Sequence, residues 1–374
     1  MASVEQEVID IMKSCGIDVV LTLPCDKIKN LLAMVPPSFK EVPLTREENG
    51  VGIAAGLFMA GKRPALMIQS TGIGNSLNVL SSLNRTYEIP LPILASWRGY
   101  YKEAIYAQTA FGKCLPAILE ASDIPHVEIG ANSELELVKK AINSSYKSNL
   151  PTVILLSPRL WEISTEKHWN PDFTSRERRF NIDCHTIVPK ATHTRYDMIR
   201  GIAPYLSGKV VVSNIGVPSK ELYAAHDQGT NFYMTGSLGL VSSIGQGLAM
   251  GLGREVITLD GDGSILMNPN VLASVAQEKP ENLTIICFDN SAHGSTGNQK
   301  TYSESMDLEL LAKSFGIVNT AKASTPEELL KVLEAGGKGP RFIHAIIEAK
   351  NADVPNIPLT PVEIKHRFMK AIGY

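Results

Sequence analysis

The sequence of 374 residues has no apolar run long enough to span a bilayer; its longest apolar stretches are broken by Gly, Ser or Pro. A basic tract is also missing. The 36 Lys and Arg stand against 38 Asp and Glu, spread along the chain for a formal net charge of −2, so the electrostatic footprint of a nucleic-acid binder is absent. The opening residues, MASVEQEVIDIMKS, lack a cationic segment followed by an apolar one, and no signal peptide is expected. Cysteine is scarce: Cys15, Cys25, Cys114, Cys184 and Cys287 are odd in number and form no CxxC pair. That points to a reduced, cytoplasmic setting in which most of them are small core residues. Tandem repeats and low-complexity tracts are missing as well.

What is present is ordinary globular material, 44% hydrophobic and 20% charged. The length suits two domains. LTLP, PALMIQ, LPILAS and TVILLS read as buried strands in the first half, and KVVVSN, REVITL, LTIICF and FIHAII in the second. Helical stretches such as ELELVKKAINSSYKS lie between them. This alternation predicts an α/β fold of two domains, each a parallel sheet covered by helices on both faces. The pattern lapses over the polar, charge-rich residues 163–194. The expected organisation is therefore a domain at 1–162, a linker at 163–194 and a domain at 195–374.

The most specific local signal is Gly261-Asp262-Gly263-Ser264. It directly follows the strand REVITL and precedes a helix, a second buried strand LTIICF, and Asp289-Asn290. In open parallel sheets, ligands bind at the carboxyl ends of strands. Glycines beside Asp262 let backbone approach a phosphate, and Asp262 and Asn290 offer hard oxygens that suit Mg²⁺.

This strand–GDGS–helix–strand–DN unit resembles the signature of thiamine-diphosphate-dependent enzymes, with Asp289 standing where that signature has the first of two Asn. The resemblance implies two thiamine-diphosphate-binding-fold domains, the pyrimidine-binding one first, and thiamine diphosphate and Mg²⁺ as cofactors. It implies Asp262, Asn290 and the Ala292 carbonyl as metal ligands, and Gly261, Asp262, Gly263, Ser264 and Asn290 as cofactor contacts. From Gly236-Ser237-Leu238-Gly239 it implies three more: Leu238 propping the cofactor into a bent conformation, the Gly236 carbonyl accepting from its pyrimidine amino group, and Ser237 beside them. Ser70, within MIQSTGIGNSLN, is implied as a further cofactor contact.

Members of that family activate the cofactor with a carboxylate on the pyrimidine ring, followed by Ala and Gly at fixed spacing. Glu47, with Ala54 and Gly56, fits this role better than Glu48, with Ala55 and Leu57. The short linker leaves no room for the middle domain of larger relatives. The compact arrangement, with VPSKELY, SWRG, NSAHGSTGNQKT and TPVEIKHRF, resembles the phosphonopyruvate and sulfopyruvate decarboxylases, the latter with its two subunits fused. Three features favour the sulfopyruvate side: the LTREE segment containing Arg46, the Pro24-Cys25 pair, and Gln108. The implied reaction is decarboxylation of 3-sulfopyruvate to sulfoacetaldehyde and CO₂, in coenzyme M biosynthesis. Phosphonopyruvate decarboxylation is the alternative; a carboligase or a non-catalytic cofactor-binding protein stands behind it. The resemblance further implies Glu47, Gln108 and His293 as catalytic residues, Cys25, Arg46 and Arg98 as substrate contacts, and a homo-oligomer whose sites lie between domains of different chains.

Overall fold

Continuous apolar runs without polar alternation become strands buried on both faces, as a parallel sheet covered by helices requires. In the computed structural model, which describes residues 3–162, 182 and 187–374, the chain divides into two units, Met1–Arg178 and Arg179–Tyr374. The N-terminal unit holds β1 Val19–Thr22, β2 Lys40–Pro43, β3 Pro64–Gln69, β4 Leu91–Ser96, β5 His126–Ile129 and β6 Pro151–Leu156. They form one parallel sheet in the order β2-β1-β3-β4-β6-β5. The C-terminal unit holds β7 Val210–Ser213, β8 Asn231–Tyr233, β9 Val256–Gly261 and β10 Leu283–Asp289, then the short β11 Ala292–His293 and β12 Gln299–Lys300, then β13 Asn319–Ala323 and β14 Arg341–Ile346. Its main sheet is also parallel, in the order β13-β14-β10-β9-β7-β8, while β11 and β12 form a separate antiparallel ribbon.

Numbered within its own sheet, each unit has the same strand order. The direction of winding reverses between β1 and β3 in one unit and between β7 and β9 in the other. Such switch points open a crevice at the carboxyl ends of the strands, and each unit has functional candidates there.

The eight strands expected from apolar runs are all present, within one or two residues. The edge strands β5, β8 and β13 were not expected. β5 and β13 bury only one residue each, so their sequences carry no continuous apolar run. Most of the expected linker, 163–194, lies outside the described residues; residues 187–194 carry no helix or strand. Thr194 then caps the helix Arg195–Leu206, accepting from the Asp197 N–H while the Asp197 carboxylate accepts from its own. Among the described residues no helix is long and apolar enough to cross a membrane.

Candidate active site

In the C-terminal unit, the register pairs Gly261 with Phe288, so Asp262 and Asn290 leave neighbouring strands at the same sheet end. Both line one cavity with Leu238, Gly261, Gly263, Ser264, Ala292 and His293. Asp262 opens the helix Asp262–Met267, where a carboxylate also meets the positive end of the helix dipole. Gly263 is required beside it: a Cβ there would lie 2.7 Å from His293 Cε1. After Asn290 the chain turns at Ser291, whose φ of 51° is left-handed, and continues into the ribbon. The Asp289 carboxylate accepts from the Ser291 N–H at 2.9 Å and Asn290 Oδ1 from the Ala292 N–H at 3.1 Å, so both side chains shape this turn.

Asp262 is 3% exposed. Burial pushes its carboxyl up; hydroxyl donation from Thr301 pulls the other way, and the neighbouring Asp289 charge adds to the rise. Asp289 is also buried, but donation from His344 and Ser303 outweighs that burial and holds it below the usual carboxylate range. The residues fit a hard divalent cation held beside a diphosphate: a desolvated carboxylate, an amide oxygen fixed by a backbone N–H, and a carbonyl at Ala292. Among the described residues no group of three His, Cys, Asp or Glu forms a metal cluster, so a cation here would draw on mixed oxygen ligands.

Leu238 lies between two left-handed residues, Ser237 at φ 66° and Gly239 at φ 93°. Asn268 holds this turn by donating to the Gly239 carbonyl at 3.1 Å. Gly236 and Ser237 do not line the cavity, whereas Asp260 and Arg195, which sequence reading did not single out, do. Burial raises the Asp260 carboxyl, which accepts from Ser242 at 2.7 Å. Arg195 is ion-paired with buried Glu221 at 2.6 Å.

In the N-terminal unit, Glu47 is the first residue of the helix Glu47–Met59, whose Gly and Ala residues are buried almost throughout. Its carboxylate accepts from Asn75 Nδ2 at 3.0 Å and rests on Gly72, where a Cβ would lie 2.5 Å from Glu47 Oε1. Glu48 is instead forked by Arg46, with Nη2 2.8 Å from Oε1. Arg46 therefore spends its guanidinium on Glu48 rather than standing free, and its side chain is 45% exposed.

Cys25, Arg98 and Gln108, read separately from the sequence, come together around Gln69. Arg98 Nη1 donates to Asp26 at 2.6 Å and to Gln69 Oε1 at 3.1 Å, and approaches Cys25 Sγ at 3.9 Å. Its Nε and Nη2 fork Glu103 at 2.7 and 2.9 Å. That bidentate pairing holds the Glu103 carboxyl down at about 2 and raises the guanidinium further. Gln69 Nε2 reaches Gln108 Oε1 at 3.5 Å. The buried Ser70 hydroxyl accepts from the Arg98 N–H at 2.9 Å, so it serves the turn. Gly99, at φ 78°, has no room for a side chain: a Cβ would lie 2.1 Å from the Gln108 carbonyl oxygen. The SWRG turn thus packs directly on the helix Tyr106–Ala121, and this contact sets Gln108. Asp26, Gln69 and Glu103 were not anticipated. They lie up to 72 residues from their partner in the chain, and no local pattern marks them.

Both units match family models. Residues 2–118 match the thiamine pyrophosphate enzyme N-terminal TPP binding domain, and residues 215–345 the C-terminal TPP binding domain. A sulfopyruvate decarboxylase of Methanosarcina acetivorans is 47% identical over 98% of this chain and 97% of its own length. A sulfopyruvate decarboxylase subunit beta of Methanococcus maripaludis is 45% identical over 48% of this chain and 97% of its own. A phosphonopyruvate decarboxylase of Streptomyces hygroscopicus is 30% identical over 94% and 90%. Among solved structures, a benzoylformate decarboxylase from Polynucleobacter necessarius shares the fold, with a TM-score of 0.69 at 14% identity over 94% of this chain and 100% of that one. The chain belongs to the thiamine-pyrophosphate-dependent enzymes, within the family of the sulfopyruvate decarboxylases.

Proposed function

We propose that this chain decarboxylates 3-sulfopyruvate to sulfoacetaldehyde and CO₂ with thiamine diphosphate, held by Mg²⁺. The observation that carries the substrate is the end-to-end match to a sulfopyruvate decarboxylase at 47% identity, against 30% for a phosphonopyruvate decarboxylase. When bound, the cofactor supplies a carbon nucleophile for the keto group and a ring that accepts the electron pair released as CO₂ leaves. The chain's own residues do the rest. Asp262, Asn290 and the Ala292 carbonyl, which line one cavity, would hold the cation, and Gly261 and Gly263 would admit the diphosphate. Leu238, which lines the same cavity, would support the cofactor. Glu47, turned by Asn75 and given room by Gly72, would supply and hold the proton shared with a ring nitrogen of the pyrimidine. Gln108 and His293 would donate to the reacting groups.

The substrate-facing cluster of the N-terminal unit is rich in neutral donors. Arg98 is matched by both Asp26 and Glu103, so Cys25, Gln69 and Gln108 offer polarity without adding net positive charge. A monoanionic sulfonate needs less compensating charge than a phosphonate near its dianion, and polar sites discriminate by leaving the wrong group poorly paired. The further reading is of a homo-oligomer working in the cytoplasm, in coenzyme M biosynthesis. The test is product formation from sulfopyruvate, phosphonopyruvate and pyruvate side by side. Sulfopyruvate is expected to have the highest kcat/KM; a higher value for phosphonopyruvate would reassign the substrate.

A further inference from the structure

One hydroxyl proton stands between two buried carboxylates. Ser303 Oγ lies 3.1 Å from Asp262 Oδ2 and 2.7 Å from Asp289 Oδ1. A serine has a single proton to donate, so the two carboxylates compete for it. Thr301 donates to the same Asp262 oxygen, Oδ2. Asp289 has other donors: His344 Nε2 at 2.8 Å on Oδ2 and the Ser291 N–H at 2.9 Å on Oδ1. His344 sits within β14, which pairs with β10, and it has no exposed surface. A carboxylate only accepts, so the Nε2 of His344 carries the proton in this contact.

We propose that His344 is a positioning residue for the cation site. By supplying Asp289 from the neighbouring strand, it lets the Ser303 hydroxyl, 2.7 Å from Asp289 and 3.1 Å from Asp262, be shared with Asp262 instead of being held by Asp289 alone. Ser303 and Thr301 both contact Asp262 through Oδ2, so Oδ1 would be the oxygen left for a cation. This accounts for an acid at position 289: an amide there would itself donate to Ser303 and would need no histidine beside it on β14. Mg²⁺ demands near-ideal octahedral geometry, so a carboxylate held by one oxygen is worth more to it than a free one.

The inference rests on the reading of this cavity as a divalent-cation site, and the experiment separates the two. Mn²⁺ is titrated into the full-length protein with thiamine diphosphate, and free Mn²⁺ is counted by electron paramagnetic resonance. The wild type is expected to bind. His344→Phe is expected to weaken Mn²⁺ binding by about ten- to a hundredfold, as loss of an outer-shell partner does. Adding Asp289→Asn is expected to restore most of that loss, and His344→Gln, which keeps a donor, to stay close to wild type. If His344→Phe does not fold, Thr301→Val and Ser303→Ala carry the test, each with weaker Mn²⁺ binding in a protein of unchanged melting temperature. Wild-type affinity in these variants, or a folded double variant in which Asp289→Asn restores nothing, overturns the positioning role. Absence of Mn²⁺ binding by the wild type overturns the cation site itself, and the proposal with it.

Discussion

The two units share one strand order and differ in what they place at the same point of it. After the third strand of each sheet comes a glycine that exists to make room for a side chain from elsewhere: Gly72 for Glu47, Gly263 for His293. After the fourth strand the units diverge. β4 runs into Arg98, a cation matched by Glu103 and Asp26; β10 runs into Asn290, a neutral oxygen donor beside Asp262. The N-terminal crevice is thus held by internal charge pairing, whereas the C-terminal one keeps a buried carboxylate whose burial raises its pKa. The first arrangement ties its cation to its own carboxylates, and the second leaves a carboxylate and an amide oxygen that suit a hard cation. A common scaffold fixes where the chemistry sits and leaves its kind to a few strand-end residues.

The largest effect should come from removing the carboxylate of the second crevice. Asp262→Ala is expected to abolish cofactor retention and to lower activity by about a thousandfold or more, since the metal contributes several kcal/mol. Equilibrium dialysis against thiamine diphosphate checks this, and retention at the wild-type level would erase the contrast between the units. Next in size is Arg98→Met. Removing one partner of a buried ion pair leaves the other unpaired, at about 3–5 kcal/mol, and denaturant unfolding reads the loss directly.

The same pair has a pH signature. Glu103 is depressed in the folded state to about 2 from an ordinary 4.5, so the stability it contributes is present in full above that ordinary value. It is lost as pH falls from there through about 2. The gap in unfolding free energy between wild type and Arg98→Met is expected to narrow over this window. A gap that stays constant from pH 7 to pH 3 would show that the pairing contributes nothing by charge.

Smaller again is Gly72→Ala, which adds only a methyl but drives it into the Glu47 carboxylate. A displaced catalytic group predicts a loss of roughly a hundredfold in kcat with cofactor binding retained, and dialysis beside steady-state rates separates the two. The smallest effect belongs to Arg46→Ala. Because Arg46 is half exposed and engaged with Glu48, a fall of only about tenfold or less in kcat/KM for sulfopyruvate is expected. Equal losses on pyruvate would place its role in holding the Glu47–Glu48 turn.

The central strands were legible because burial on both faces writes a continuous apolar run, while edge strands such as β5 and β13, wet on one side, write almost nothing. GDGS and Asn290 were legible because strand, turn and strand follow one another in the chain, so proximity in sequence stands in for proximity in space. The partners of Arg98 escaped notice for other reasons. Asp26 and Gln69 reach it from the ends of other strands, joined to it only by the sheet order, and Glu103, five residues on in the same loop, carries no motif. Arg98 and Arg46 could be read as cations, but which carboxylates already claim them is a tertiary fact. Likewise Thr301 and Ser303 carry no motif of their own; the antiparallel ribbon brings them back to Asp262.

The division of labour between the units can be tested most directly at the cofactor itself. Exchange of the C2 proton of bound thiamine diphosphate for deuterium is timed by acid quenching in wild type and in Glu47→Gln. The account predicts that Glu47→Gln binds thiamine diphosphate and Mg²⁺ as the wild type does but exchanges the C2 proton about a hundredfold or more slowly, in the range of a lost general acid–base group. An unchanged exchange rate in a variant that is fully loaded with cofactor would contradict it.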